Sequence, residues 1–477
     1  MQQLSFDLSK HIVASSLPRT GNVSGRLEQA LSEDLDFHTH ASTYATHVLH
    51  AFPAKFPPQL PRHFIEALTE PGEIVLDPMS GSGTTLLEAQ LLGRQALGFD
   101  IDPLAVRISA AKTTLVSVDE LLEQGYRVAE SARQLLAKQR SSIVMDFEKR
   151  YDGETRAFQQ YWFWETTCLE LHALRMGIEA VPVDDIRQLL TVIFSSVIIT
   201  KSGGVSLALD LAHTRPHRAK AVLRPDGEVL YGAEVLEANG RRQRYVTKYL
   251  RSAIDEFEKR LKNHIDSLNA TIPGDGMARI AWGNAEALPL AEDSVDLLFT
   301  SPPYVSNAID YMRAHKFSLI WLGFPISELS ERRKAYIGGE AAQGFKFEEL
   351  PGRTEALIQQ IEAIDARRAV AVRRYYSEMT RVLRDSLRVL RPGKAALFVV
   401  GTSIIRGVDT ETQHCLAEIG ASVGFDVAGI GIRNLDRDRR MMPAGNQVDL
   451  KSQIQQRMHK EFVVGLCKPE ERVEHEH

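Results

Sequence analysis

Cysteine is scarce: Cys168, Cys415 and Cys467 are three in 477 residues, scattered too widely for a disulfide framework or a metal cluster. No apolar run is long enough to span a membrane; the longest, near Leu189 to Thr200, has the length of a buried element. The opening Met1-Gln2-Gln3-Leu4 lacks the basic and apolar pattern of a secretion signal. Neither sign of charge prevails. A net charge of −5 gives no global attraction to a polyanion, so any such attraction has to be local. Internal repeats and low-complexity tracts are missing as well. What remains is an ordinary globular composition, 44% hydrophobic and 25% charged, in a chain long enough for one large core plus a second domain or large insertions.

Against that background two short segments stand out. The apolar run Val295-Asp296-Leu297-Leu298-Phe299 reads as a buried strand and leads into Thr300-Ser301-Pro302-Pro303-Tyr304. Pro302 and Pro303 fix φ and remove two backbone donors, so the turn is stiff and its carbonyls are free to accept. Ser301 adds a hydroxyl acceptor, and Tyr304 adds an aromatic face for stacking on a ring. Such a turn suits the exocyclic amino group of a flat base. The second segment is Glu73-Ile74-Val75-Leu76-Asp77-Pro78-Met79-Ser80-Gly81-Ser82-Gly83-Thr84-Thr85, a short strand, a Gly-rich turn and the start of a helix. Gly81 and Gly83 permit close backbone approach to a ligand. Asp100 follows about twenty residues on, the spacing at which an acid accepts ribose hydroxyls. No Lys follows Gly83, which argues against a phosphate-binding P-loop. A ligand with a ribose and no phosphate fits better, and S-adenosylmethionine is the natural candidate.

Together these segments resemble the S-adenosylmethionine-dependent DNA amino-methyltransferases, which modify cytosine N4 or adenine N6. The likeness is nearest to the site-specific N4-cytosine type, whose catalytic turn begins with Ser as at Ser301. His47-Val48-Leu49-His50-Ala51-Phe52-Pro53-Ala54-Lys55-Phe56-Pro57-Pro58-Gln59-Leu60-Pro61 is similar to the family's N-terminal cofactor motif. Trp282-Gly283-Asn284-Ala285 is similar to the segment beside the cofactor's adenine, with Asn284 where Asp is usual. Met79 likewise stands where Phe is usual. The resemblance covers 46–114 and 278–330, and more weakly 372–468.

It implies catalytic roles for Ser301, Pro302, Pro303 and Tyr304. It implies cofactor contacts for Phe52, Lys55, Asp77, Gly81, Gly83, Thr84, Asp100 and Asn284, and no metal. Asp77 also has a purely structural role open to it, orienting the turn. The implied partner is double-stranded DNA. A cognate restriction endonuclease acting separately is compatible with it, a membrane is not, and the implied location is prokaryotic cytoplasm, associated with the nucleoid. Cytosine C5 chemistry in its own family needs a Cys after Pro, and no Cys here follows Pro. An N6-adenine enzyme of the same geometry and, further off, an RNA base amino-methyltransferase stay open as alternatives.

The expected fold is α/β, a Rossmann-like, doubly wound, mainly parallel seven-stranded sheet with a large, mostly helical insertion. Strands are predicted at 74–77, 95–100, 278–282, 295–300, 395–401, roughly 425–432 and 461–467, with helices over 375–390 and 410–419. Arg391-Pro392-Gly393 reads as a helix stop. The expected divisions are an N-terminal arm or short helix (1–45), a cofactor half (46–117), an insertion (118–277) that is a candidate for target recognition, and a catalytic half (278–477) with a second insertion at about 305–370. From His213 to Lys262 there are twelve Lys/Arg against seven Asp/Glu, among them Arg215, Arg218, Lys220, Arg224, Arg241, Arg242 and Arg244. Phosphate contacts and a solvated helix face explain that excess equally well. Arg367, Arg368, Arg373, Arg374, Arg433, Arg437, Arg439 and Arg440 are read mostly as surface charge. Trp162-Phe163-Trp164 reads as core packing before base stacking. His213 and His217 have metal-compatible spacing, but Pro216 interrupts the helix and no carboxylate accompanies them. Asp296 is expected to be structural, and Asn307, Asp310 and Tyr311 continue the catalytic loop without an assigned role.

Overall fold

The computed structural model describes residues 21–53, 55–200, 202–211, 216–237, 246–269, 276–305, 310–338, 344–435 and 460–470. Its centre is a seven-stranded sheet. In chain order the strands are β1 (Ile74–Asp77), β2 (Gln95–Asp100), β3 (Ala278–Trp282), β4 (Val295–Thr300), β5 (Leu390–Gly401), β6 (Asp426–Asn434) and β7 (Lys460–Cys467). Their spatial order is β6-β7-β5-β4-β1-β2-β3. Neighbours from β5 to β3 are parallel, whereas β7 runs antiparallel to both β5 and β6. Every residue of β4 is buried, as a central strand covered on both faces requires. The chain moves outward from β1 through β2 to β3, then returns to the other side of β1 with β4. That reversal opens a crevice at the carboxyl ends of β1 and β4, the position where open α/β sheets bind ligands. Asp77 ends β1, and Ser301 directly follows the end of β4. Asp296 lies at the opposite end of β4, where it accepts from Ile74 N–H (2.9 Å) and pairs with Arg391 (2.5 Å). Its role is structural.

Helices cover both faces: α1 (Val23–Ser32), α2 (Gln59–Leu68), α3 (Thr84–Leu91) and α4 (Pro103–Thr113) in the first part. The insertion holds α5 (Val118–Lys138), α6 (Arg140–Arg150), α7 (Gly153–Trp162), α8 (Glu165–Glu179), α9 (Asp184–Ile198), α10 (Ala233–Glu237) and α11 (Ala253–Asn269). The last part carries α12 (Tyr311–Leu319), α13 (Ile326–Arg332), α14 (Gly352–Glu362), α15 (Ala366–Val389) and α16 (Thr412–Val423). The apolar run near Leu189 to Thr200 forms most of α9, whose inner face is a buried core stripe. Each such fully buried aliphatic side chain contributes about 1.5–3 kcal/mol.

Several local expectations need correction. The short helix expected as one option for 1–45 is found as α1, but it is not peripheral: Leu27, Ala30 and Leu31 pack into the apolar cluster that includes Leu397, Val399 and Val463, and Asn22 caps its first turn. The long helix before β5 begins at Ala366, not Tyr375, because Asp365 caps it by accepting from Arg368 N–H and good helix formers follow. Strand β5 begins at Leu390 and includes Arg391-Pro392-Gly393. Pairing with β7 starts only at Ala395, so the missing N–H of Pro392 interrupts no ladder there. Within the insertion a small sheet of Ala221–Leu223, Val229–Tyr231 and Thr247–Tyr249 went unforeseen, since strands of three residues are too short to show a period.

The insertion is not a separate lobe. Its helices share one apolar cluster with Leu104 and Ile108 of α4 and with Met312, Phe317 and Trp321 beyond the catalytic turn. Phe158 and Trp162 meet the Phe317 ring at 5.2 and 5.0 Å, and Trp164 stacks on Tyr231 at 5.9 Å, so the aromatic knot is packing. Among the basic residues, Arg224 pairs with Glu228, Arg373 with Glu355 and Arg374 with Glu378. Arg374 and Arg433 are buried and are not surface charge. Arg218 lies between the rings of Tyr161 and Tyr231, 5.0 and 5.2 Å from their centres. His213, Arg215, Arg241, Arg242, Arg244, Asn307, Arg437, Arg439 and Arg440 lie outside the described residues. Among the described residues, no group of three His, Cys, Asp or Glu side chains could hold a metal ion, and no helix is long and apolar enough to cross a membrane.

Candidate active site

The crevice between β1 and β4 opens into a cleft of about 1170 Å³, its mouth included. Its walls come from the Gly-rich turn after β1, the acidic turn after β2, the turn after β3, the Ser-Pro-Pro-Tyr turn after β4, and Phe52 and Lys55 from the segment before α2.

Asp77 joins two of these walls. Its Oδ1 accepts from the Thr300 hydroxyl (2.7 Å) and from Met79 N–H (3.2 Å), tying the Gly-rich turn to the residue before Ser301. Burial pushes its carboxyl up to about 6 despite those bonds. Gly81, with φ of 51°, donates its N–H to Asp100 Oδ2 (2.8 Å). Gly83 stands behind the cleft wall and is not one of the lining residues. A Cβ on it would come within 2.9 Å of Ser109 Cα, so a glycine is needed there for α3 to pack on α4. Thr84 lines the cleft at the first position of α3.

Asp100 ends β2 with both oxygens engaged, Oδ1 accepting from Asp102 N–H (2.8 Å). Asp102 caps α4 through Leu104 N–H (2.8 Å), and its other oxygen meets His315 Nδ1 (2.7 Å). His315 and Tyr311 lie on α12. The Tyr311 ring stacks on Phe52 (5.1 Å, 27°) and lines the cleft, giving this loop residue a place in the site. Tyr336 enters from the second insertion and interacts with Asp102. Asn284 Oδ1 accepts from Glu286 N–H (3.0 Å), which leaves its amide hydrogens available to a ligand acceptor. Lys55 Nζ donates to the His47 carbonyl (3.0 Å), and burial lowers its pKa. Asp310 is paired with Arg313 (3.2 Å) and Arg333 (2.6 Å).

The segment carrying Phe52 and Lys55 is fixed by a buried carboxylate that sequence reading missed. Glu88, in the middle of α3, accepts from Tyr44 Oη (2.7 Å), His47 Nε2 (2.7 Å) and Arg62 Nη1 (3.1 Å). The available signal was an acid inside the apolar helix run Leu86-Leu87-Glu88-Ala89.

In the catalytic turn Ser301 Oγ donates to the Val399 carbonyl (3.0 Å). Its only proton is thereby committed, and toward any other partner it can only accept. Among the described residues no donor reaches the Pro302 carbonyl. Tyr304 lines the cleft with its hydroxyl donating to Glu461 Oε1 (3.0 Å), and burial together with that acid holds its pKa well above the ordinary tyrosine value.

These residues fit S-adenosylmethionine. Asp77, Asp100 and Asp102 surround the Gly-rich turn with no Lys or Arg in it, which repels a phosphate and suits a sulfonium cation. Among the described lining residues Lys55 is the one cation, and Asp100 carries a carboxylate of the kind that accepts hydroxyls. Burial, with Asp102 beside it, pushes the Asp100 carboxyl up to about 7. The ionised form is the better acceptor for hydroxyls, so cofactor affinity is expected to rise with pH between 6 and 8, by up to roughly tenfold per unit below the pKa. Calorimetric titration across that range checks this, and Asp100→Asn should flatten the profile. In the free protein the sign reverses. Between the ordinary 3.8 and about 7 the folded chain holds a proton that the unfolded chain releases, so this group's contribution to stability falls as pH rises through that window.

The chain is similar to known methyltransferases over most of its length. Residues 27–111 match the N6/N4 methyltransferase family model, described as DNA methylase. The Type II methyltransferase M.MvaI of Kocuria varians is 22% identical over 399 residues, covering 78% of this chain and 80% of its own. M.BsoBI of Geobacillus stearothermophilus is 21% identical over 400 residues, covering 74% and 73%. A shorter match, to M.PvuII of Proteus hauseri, reaches 45% identity over 60 residues, 13% of this chain and 18% of that one. These matches support an amino-methyltransferase family for the chain and do not separate the N4 from the N6 type.

Proposed function

We propose that this protein transfers a methyl group from S-adenosylmethionine to the exocyclic N4 amino group of a cytosine flipped out of a specific DNA duplex. The observation that carries the reading is the acceptor pair at the end of β4. Ser301 Oγ has its proton committed to Val399, and the Pro302 carbonyl is open to a donor among the described residues. An amino group conjugated to a ring is a poor nucleophile because its lone pair is delocalised. Two acceptors holding its two N–H bonds favour a tetrahedral nitrogen, whose lone pair is then free for attack. Bound S-adenosylmethionine supplies the electrophilic methyl on its sulfonium. The new N–C bond forms as the S–C bond breaks, and one amine proton leaves to solvent; no covalent enzyme intermediate is needed. Positioning and hydrogen-bond electrostatics provide the acceleration.

A stacked base cannot enter the cleft, so the target nucleotide has to swing out. Tyr304 offers the flipped ring a platform worth about 1–3 kcal/mol. Phe52, Lys55, Asp77, Gly81, Thr84, Asp100 and Asn284 form the cofactor side of the same cleft, with Gly83 supporting it from behind. The insertion at 118–277, packed against α12 just beyond the catalytic turn, is the proposed target-recognition region. Duplex DNA as substrate is supported by the family description, and cytosine by Ser301 at the head of the turn, where the adenine type carries Asp or Asn.

The test is product identification. Purified protein, labelled S-adenosylmethionine and duplex DNA of mixed sequence should yield N4-methylcytosine after digestion to nucleosides. N6-methyladenine would overturn the base assignment, and label appearing only in RNA would overturn the DNA substrate.

A further inference from the structure

Strand β7 is antiparallel, so it starts where its parallel neighbours end. Its second residue, Glu461, therefore lies beside Gly401 at the catalytic edge of the sheet. It is held there on two sides. Arg433, its cross-strand partner on β6, forms an ion pair with Oε2, with side-chain exposures of 6% and 13% for Arg433 and Glu461. Oε1 accepts the Tyr304 hydroxyl (3.0 Å). A buried ion pair is costly to place and seldom improves stability over an apolar pair, so this one calls for a role beyond holding the fold.

We propose that Glu461, anchored by Arg433, is a positioning residue that fixes the Tyr304 ring in register with the target base. This rests on Tyr304 as the platform for the flipped base. A tyrosine has two side-chain torsions, and packing alone leaves the tilt of its ring soft. Tying its far end to a carboxylate that is itself held by a guanidinium removes that freedom before substrate arrives. The contact spans 157 residues and joins the last strand of the sheet to the catalytic turn.

Three variants of the full-length protein test it: Tyr304→Phe, which keeps the ring and removes the hydroxyl, Glu461→Gln, and the two combined. Each single variant is expected to lower kcat about tenfold or more, as small misplacements of reacting groups do. Their combination should be no slower than the slower single variant, and the dissociation constant for S-adenosylmethionine should stay within about twofold, because positioning of the base does not reach the cofactor. Unchanged kcat in Tyr304→Phe, or effects that multiply in the double variant, would overturn the proposal. Should Glu461→Gln fail to accumulate as folded protein, Tyr304→Phe alone decides. Tyr304→Ala separates this proposal from the reading beneath it. Full activity without the ring refutes the platform itself, whereas an inactive Tyr304→Ala beside a fully active Tyr304→Phe refutes only the positioning role.

Discussion

Replacing Ser301 by Ala is expected to lower kcat by about 10²–10³-fold, the cost of losing one preorganised hydrogen-bond partner at a reacting atom. The substitution removes an acceptor for the amino group. It also removes a donor to the Val399 carbonyl, so the turn loses one of its ties to β5. The cofactor side of the cleft keeps its walls, since the Asp77 link to the turn runs through Thr300. Affinity for S-adenosylmethionine should therefore be preserved within a few-fold while turnover collapses. Single-turnover transfer to DNA, measured beside calorimetric cofactor binding, separates the two. A parallel loss of binding would mean that Ser301 serves the architecture of the cleft and not the chemistry.

The second large effect falls on stability. Glu88→Ala is expected to destabilise the protein by about 2–4 kcal/mol, because it removes the shared acceptor of two buried donors and leaves the Arg62 charge with Glu66 alone (3.2 Å). The damage should then spread to function. Tyr44, His47 and Arg62 belong to the segment that carries Phe52 and Lys55, and Glu88 is their shared attachment to the Gly-rich helix. Weakened S-adenosylmethionine binding in Glu88→Gln, a milder change that keeps shape and one acceptor oxygen, would show that the carboxylate organises the N-terminal wall. A Glu88→Ala protein as resistant to denaturant as the original would contradict the buried network.

What the sequence discloses about this site follows the range over which each residue acts. Turns write themselves locally: Ser301-Pro302-Pro303-Tyr304 and the glycines after Asp77 owe their shape to φ restrictions and missing donors within a few positions. Strands β1 to β4 are short apolar runs bounded by such turns, which is why the sheet could be read almost strand by strand. Glu461 and Tyr336 left no such trace, and Glu88 only the faint one of an acid inside an apolar run. Each acts through contacts across the fold, as between Tyr44 and Glu88, 44 residues apart. Arg433 was misread for the same reason. As one arginine among several it resembles surface charge, and only the antiparallel pairing of β6 with β7 buries it opposite Glu461. Tyr311 was named and left without a role, because its stacking on Phe52 depends on how α12 packs against the insertion. The three-residue strands between α9 and α11 were invisible because so short a stretch cannot display alternation.

The joint cleft is tested most directly by a structure of the protein with a non-reactive S-adenosylmethionine analogue and its mapped recognition duplex. The account predicts one flipped cytosine lying on Tyr304, its amino nitrogen within about 3.2 Å of both Ser301 Oγ and the Pro302 carbonyl, and the analogue's ribose on Asp100. A base that stays stacked in the duplex, or an amino group held by residues outside the Ser301 turn, would contradict it.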